Sequence, residues 1–233
     1  MEIRDLEPLS GYHERQVLED MMRIDVILDT VCPWCFIGKR RLQYALALRP
    51  HITPEISWRS FLLNPEIPPE GLERSIYLIK KFGSESRVRR IYGAIADAGL
   101  SVEIDFAFDR ICTTPNSVDS HRLILRAQEQ GLGERVVEDL YSAYFLDGLD
   151  IGDKSLLTRI GANNGLDPDA LEHYLQTEED VSGIYDENAR AHRLGVNGVP
   201  AFVFNNNWVI SGAQEPQVLA RMLDAANAAE DAA

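Results

Sequence analysis

Between residues 23 and 29 the chain sets Ile24, Val26 and Leu28 against Asp25, Ile27 and Asp29, the period of two expected of a strand. Thr30 to Cys32 form a turn, Pro33 suits the first position of a helix, and residues 35–48 place Cys35, Leu42 and Leu46 along one helical face. Arg49-Pro50 ends that helix, because the residue before a proline is pushed towards extended backbone. Residues 55–63 (EISWRSFLL), rich in aromatic, β-branched and aliphatic side chains, read as a second strand. The opening is therefore βαβ, which predicts a parallel pair.

Beyond Asn64-Pro65 a loop containing Pro and Gly runs to Gly71, and helical periodicity then persists, with breaks, to Leu194. Helices are expected over residues 75–82, 87–98, 115–129, 134–145, 154–162, 167–177 and 181–194. Thr114 before Pro115 and Asp167 before Pro168 read as N-caps followed by proline. Residues 199–204 (VPAFVF) and 208–211 are short strands joined by Asn205-Asn206-Asn207, whose side chains tolerate positive φ, and so form a hairpin. A last helix over residues 215–228 carries Leu219, Met222 and Leu223, with Pro216 in its first turn and an Ala-rich acidic tail behind it. The order is βαβ, a block of helices, then αββα, with strands from both ends expected in one sheet. This is an α/β chain in which residues 22–64 and 178–233 make one domain, residues 65–177 are an inserted helical subdomain, and residues 1–21 are an N-terminal extension.

Composition narrows the function. The 233 residues, 45% hydrophobic and 26% charged, can bury a sizeable core. Lys and Arg number 23 against 37 Asp and Glu, and the resulting net charge of −14 repels nucleic acid and anionic lipid. Residues 1–22 hold no apolar run of the length an export signal needs, and stretches such as 24–31 and 199–204 are too short to cross a bilayer. Three cysteines do not make a disulfide-stapled scaffold and suit a reducing, cytoplasmic setting.

Two of those cysteines form CPWC at the first strand-to-helix turn. Backbone N–H groups and the helix dipole stabilise a thiolate at such a position, and thiols in CxxC motifs have pKa values of roughly 3.5–7.5 instead of about 8.5. Cys32 is the expected nucleophile; Cys35, one turn further and on the apolar face, is placed to attack a mixed disulfide at Cys32. The alternatives for a close cysteine pair are half of a zinc site or two inert core thiols. Zinc needs four ligands, and the remaining thiol, Cys112, would have to converge with a histidine from the helical block. A CxxC between strand and helix of a βαβ unit favours redox chemistry.

CPWC followed much later by GVPAFVF resembles the thioredoxin superfamily with a large helical insertion, as in the DsbA family. The stretches DTVCPWCFIGKRRL and HRLGVNGVPAFVFNNNWVISGAQ resemble its FrnE-like branch, close to the 2-hydroxychromene-2-carboxylate isomerases. The resemblance covers about residues 22–227. It implies a thioredoxin-like fold and a cis Val199-Pro200 bond facing the cysteines, with the Val199 backbone offered to an extended substrate. Only X–Pro bonds adopt cis cheaply, and a proline nitrogen neither ligates metal nor donates a hydrogen bond. An ordinary trans turn is the alternative for Val199-Pro200.

Asp29, three residues before Cys32, is a candidate for proton handling or else a solvated strand-end acid; thioredoxins proper carry a buried acid six residues before the first cysteine, where this chain has Val26. Trp34 is expected as an exposed lid beside Pro33, with Phe36 and Trp58 in the core. Asn116 and His121, in TPNSVDSHRL, resemble a segment facing the active site in the isomerase-like branch and are candidates for the substrate groove; for His121 a surface or capping role competes. Cys112 reads as a small half-buried residue.

The leading reading is a dithiol–disulfide oxidoreductase acting on protein or small-molecule thiols and disulfides. It needs no cofactor besides the redox-active disulfide, with glutathione a candidate co-substrate. The alternative is a glutathione-dependent isomerase or transferase of small aromatic compounds, whose relatives commonly carry Ser at the first cysteine position, so that the intact CPWC counts against it. A non-enzymatic alternative is a zinc-dependent or chaperone-like binding module.

Overall fold

The computed structural model describes residues 21–230, and the expected N-terminal extension lies outside them apart from Met21. In chain order the elements are β1 (Arg23–Leu28), α1 (Pro33–Ala47), β2 (Glu55–Ser60), β3 (Leu72–Glu73), α2 (Arg74–Phe82), α3 (Glu85–Leu100), β4 (Thr113–Thr114), α4 (Val118–Gln128), α5 (Gly133–Phe145), α6 (Lys154–Asn163), α7 (Pro168–Gln176), α8 (Val181–Arg193), β5 (Ala201–Phe204), β6 (Trp208–Ser211) and α9 (Pro216–Glu230). A single turn of 3₁₀ helix, Phe108–Arg110, precedes β4.

Strands from the two ends of the chain share one mixed sheet in the order β2-β1-β5-β6. β1 runs parallel to β2, with Val26 opposite Trp58, and antiparallel to β5, with Val26 opposite Phe202. The alternation in β1 has a direct cause in this central position. Ile24, Val26 and Leu28 share a core with Phe36, Ile37 and Leu42 of α1 and with Leu219 and Leu223 of α9. Ile27 points to the other face, against Phe61, Ala191, Ala201 and Val203.

The outer edge of β2 would offer unpaired backbone groups, and three side chains cover it. Gln128 of α4 accepts from the Trp58 N–H (2.6 Å) and donates to the Trp58 carbonyl (3.0 Å). Glu187 and Asn188 of α8 accept from the N–H groups of Ser60 and Leu62, each at 2.9 Å. A buried strand edge needs such partners, and here the helical block supplies them, which ties it to the sheet. α1 lies between the sheet, α9 and α5, so even two of its basic residues, Lys39 and Arg41, are enclosed. Lys39 is buried and pairs with Glu138 at 2.8 Å, and Arg41 donates to the Ala213 carbonyl at 2.6 Å and pairs with Glu215 at 2.8 Å.

Several expectations change. The second strand ends at Ser60, because its partner β1 ends opposite it at Leu28. Thr114 caps no helix: the residue before a proline favours extended backbone, and Thr114 pairs with Leu72 in a two-stranded ladder with β3. α4 accordingly starts at Val118, where the Asn116 carboxamide oxygen accepts from the Val118 N–H at 2.9 Å. Residues 199 and 200 precede β5 and do not belong to it. Cys112 is exposed, not half-buried. Among the described residues no helix is long and apolar enough to cross a membrane, and no group of three His, Cys, Asp or Glu is placed to hold a metal ion.

Candidate functional site

β1 delivers the chain to the site through a tight turn, in which the Cys32 N–H donates to the Asp29 carbonyl at 3.1 Å. Cys32 is the N-cap of α1, Pro33 occupies the first helical position, where a missing N–H costs nothing, and the Cys32 carbonyl accepts from the Cys35 N–H at 3.0 Å. Both cysteines are free thiols and both are buried, at 4% and 2% exposure. Trp34, between them, is exposed.

Val199-Pro200 is cis, and the Val199 carbonyl lies 3.6 Å from the Cys32 sulfur. This approach depends on a residue that sequence reasoning passed over. A Cβ on Gly38, one turn after Cys35, would stand 2.7 Å from Cγ of Pro200 and 3.3 Å from the Phe202 ring. Gly inside a helix is destabilising by roughly 0.5–1 kcal/mol relative to Ala, so an interior glycine so close to CPWC is a legible sign of close approach.

The two thiols differ. Burial pushes the Cys35 thiol well above the usual range, and its hydrogen bond to Cys32 and the charge on Cys32 push the same way; a backbone contact with Asp29 opposes them, while the Asp29 charge adds to the rise. Beneath the pair lies Tyr141 of α5, fully buried and stacked on Phe36 at 5.0 Å between ring centroids. Its hydroxyl donates to the Asp29 carbonyl at 3.4 Å, and burial, followed by the charges of Cys35, Cys32 and Asp29, holds its ionisation far above the ordinary tyrosine range. Tyr141 therefore stays a neutral donor. It too was missed, since one aromatic among many apolar positions of an amphipathic helix carries no sequence signal.

Asp29 is fully buried, which overturns its reading as a solvated strand-end acid. The second strand stops pairing at Ser60, and Asp29 takes over where backbone acceptors end: its carboxylate accepts from the N–H groups of Leu63 at 2.7 Å and Val31 at 3.3 Å. His121 of α4 is likewise buried rather than at the surface, with Nε2 3.6 Å from Asp29 Oδ1. Asn116 is not brought to the cysteines by its contacts. Its amide donates to the Ile67 carbonyl at 2.6 Å, and it borders a separate groove with Asp119, Lys154, Glu178 and Tyr185.

On the rim, Lys81 of α2 donates to Asn64 at 2.9 Å and to Tyr77 at 2.7 Å, and Tyr77 donates to Asn64 at 2.6 Å. Burial, the largest influence, pushes the Tyr77 hydroxyl up to about 12, and burial lowers Lys81 against the raising charges of Asp29 and Cys32. A positive charge thus faces the cysteine turn.

A thioredoxin-type sheet, a helical block closing over it, and a CxxC pair at the first helix opposite a cis-proline define the class: a thioredoxin-like protein with a dithiol centre. Residues 23–224 match the model of the DSBA-like thioredoxin domain, and the chain belongs to that family, one of thiol–disulfide oxidoreductases. A solved structure of a probable DsbA oxidoreductase from Streptomyces coelicolor is 28% identical and superposes with a TM-score of 0.81 over 88% of this chain and 89% of that one. A 2-hydroxychromene-2-carboxylate isomerase shares the fold at 17% identity (TM-score 0.66, 91% and 99% covered). So does the cytosolic disulfide reductase DsbM from Pseudomonas aeruginosa, solved with glutathione, at 17% identity (TM-score 0.56, 87% and 98% covered).

Proposed function

We propose that the protein is a dithiol–disulfide oxidoreductase of the FrnE-like branch in which Cys32 attacks and Cys35 resolves, acting on protein or small-molecule disulfides with glutathione as co-substrate. The observation that carries this reading is the inequality of the two thiols: Cys32 caps a helix N-terminus against the Val199 carbonyl, whereas burial holds Cys35 as a protonated thiol. A thiolate at Cys32 attacks a substrate disulfide, one half of the substrate leaves as a thiolate, and Cys35 then displaces the other half to close Cys32–Cys35. Val199 and Pro200 line the approach, Trp34 and Pro33 shape the rim, and the Val199 backbone aligns an extended substrate. Glutathione bound to the DsbM neighbour supports the co-substrate, and the cytosolic setting of that neighbour together with the low cysteine count supports a cytoplasmic location.

Incubating the reduced protein with graded ratios of reduced to oxidised glutathione, then alkylating and weighing it, tests the reading. Formation of an intramolecular Cys32–Cys35 disulfide with a defined midpoint is expected, and its loss in both Cys32→Ser and Cys35→Ser. The fold shared with the chromene isomerase favours a second reading, glutathione-dependent isomerisation of small aromatic compounds. Retained isomerase activity in Cys32→Ser would establish that reading over the redox one.

A further inference from the structure

We propose that the hairpin of α2 and α3 is the surface on which a protein substrate docks, and that the docked segment is acidic, with apolar side chains among its carboxylates. This rests on the thiol–disulfide reading above and narrows its substrate to disulfides in polypeptides of that composition.

Charge is spread unevenly over the chain. The net charge is −14, yet residues 74–96 hold six Lys and Arg against one acid, Glu85. Where carboxylates are so abundant a basic side chain readily finds a partner, and Arg41, Arg49, Arg59 and Arg122 each have one. On the hairpin, Arg89 takes Glu85, and the buried Arg74 donates to Tyr144 and Tyr92. Lys80, Arg87 and Arg90 are exposed, and neither they nor Lys81 have a carboxylate within ion-pair distance among the described residues. Repulsion between these cations is left uncompensated, as it would not be with an acidic segment laid across them.

The fold gathers the four. α2 ends at Gly83, whose φ of 89° turns the chain back, and Ser84 caps α3 by accepting from the Arg87 N–H at 3.4 Å. A Cβ on Gly83 would stand 3.6 Å from Nη1 of Arg87, so the start of α3 lies against the end of α2, which carries Lys80 and Lys81. Arg90 follows Arg87 by one turn, on the same side of α3. Apolar groups accompany the charges. Ile76 is 69% exposed and Ile79 40%, and Ile76 stacks one turn before Lys80 on the side of α2 opposite the buried Arg74 and Leu78.

Hydrogen bonds tie this surface to the cysteines. Lys81 and Tyr77 donate to Asn64, the neighbouring Leu63 N–H donates to the Asp29 carboxylate, and the Asp29 carbonyl accepts from the Cys32 N–H. A segment lying along the hairpin is thereby held beside the turn that presents Cys32. Nucleic acid and anionic bilayers also seek cations, but they carry no disulfide, and the carboxylate excess of the remaining chain repels such extended anions. A short acidic segment meets the hairpin alone. The exchange then balances: the Cys32 thiolate breaks the peptide S–S bond and releases one peptide thiolate. Cys35 loses its proton to solvent and displaces the second, so two electrons pass from the dithiol to the peptide.

The test uses the full chain with Cys112→Ala to remove the exposed thiol. Peptides of equal length, each with one internal disulfide flanked by Glu and Leu, by Lys and Leu, or by Glu and Ser, are reduced by it and followed by mass spectrometry. Bis(2-hydroxyethyl) disulfide, small and neutral, reports the cysteines by themselves, and each peptide rate is divided by that rate. At low salt the Glu–Leu peptide should react roughly tenfold or more faster than the Lys–Leu peptide, within the range that electrostatic steering supplies. Net charge alone predicts the reverse order. At 1 M salt the gap should close to about twofold, because the screening length there is only about 3 Å. Combined Lys80→Gln, Arg87→Gln and Arg90→Gln should remove most of the gap, and Ile76→Ser should reduce the advantage of Glu–Leu over Glu–Ser. Equal rates for the Glu–Leu and Lys–Leu peptides at low salt, or a faster Lys–Leu peptide, would overturn the proposal without recourse to any variant. So would a gap that survives the triple substitution. Binding to phosphatidylserine vesicles or to a DNA oligonucleotide, lost in the triple variant and accompanied by no preference among peptides, would overturn it in favour of a phosphate-bearing partner. Failure to reduce any of the disulfides, the small one included, would instead overturn the redox reading and the proposal with it.

Discussion

Replacing Gly38 with Ala adds one methyl group at the point where α1 meets the cis-proline, and its consequence can be worked from the structure. The new Cβ would stand 2.7 Å from Pro200 Cγ, closer than real Cβ atoms approach, and 3.3 Å from both Pro200 Cβ and the Phe202 ring, tighter than most such contacts. Pro200 is a closed ring and Phe202 a fully buried side chain, so neither can swing away as a flexible chain end would. Overpacking of this kind costs typically ~1–3 kcal/mol, while Ala gains about 1 kcal/mol over Gly in a helix interior. The expected net loss is therefore ~0–2 kcal/mol, a fall in Tm of up to about 8 °C for a chain of this size. Relief of the clash moves Pro200 and Val199 away from α1 and lengthens the 3.6 Å approach of the Val199 carbonyl to the Cys32 sulfur. Disulfide exchange at Cys32 should slow several-fold in a protein that remains folded, and Gly38→Val should do more on both counts. Urea unfolding and stopped-flow exchange measure the two effects. A Gly38→Ala protein about 1 kcal/mol more stable, with unchanged exchange, would show that helix propensity alone governs the position and refute the argument.

Stability should also report the buried thiol and phenol. Burial raises the ionisation of Cys35 and Tyr141 in the folded state, so the folded protein keeps protons that the unfolded chain releases. Their contribution is complete below the unfolded thiol pKa, ~8.5, and is lost as pH rises beyond it; urea midpoints of the reduced protein should fall over that range, and less steeply in Cys35→Ala. Gln128→Leu removes both partners of the Trp58 backbone on the edge of β2, and at roughly 1–3 kcal/mol for an unsatisfied buried group it should cost about 2 kcal/mol by urea unfolding while leaving exchange near its original rate. Lys81→Gln removes the charge facing the cysteine turn and should slow attack on an anionic aromatic disulfide more than on a neutral one, with the difference shrinking at high salt.

The sheet and the placement of the cysteine pair at its first helix were legible because their signals are local. The alternation of β1, the turn, Pro33 and the apolar face of α1 lie within one stretch of chain, and CPWC sits at its hinge. GVPAFVF was legible as a strand but acquired a role only through resemblance, since nothing in Val199-Pro200 itself says what it faces. The two-residue strands β3 and β4 are too short to show a period, and without them Thr114 before Pro115 imitates a helix cap. Burial of polar groups was the least legible property. Asp29 is enclosed because β2 stops pairing and leaves the Leu63 N–H in need of an acceptor, and His121 because Ser120 bonds to Thr30 across the insertion. Lys39 and Arg41 are enclosed because α1 is covered by α5 and α9 as well as by the sheet. Each depends on a partner far away in sequence, where no periodicity reaches.

The central claim is that Cys32 and Cys35 divide attack and resolution between them, and trapping the intermediate tests it most directly. Cys112→Ala protein carrying Cys35→Ser should, after treatment with oxidised glutathione and separation under non-reducing conditions, carry one glutathione on Cys32, located by peptide mass spectrometry. The matching Cys32→Ser protein should carry little or none, its Cys35 being buried and protonated. Glutathione accumulating on Cys35 as readily as on Cys32, or on neither, would contradict the account.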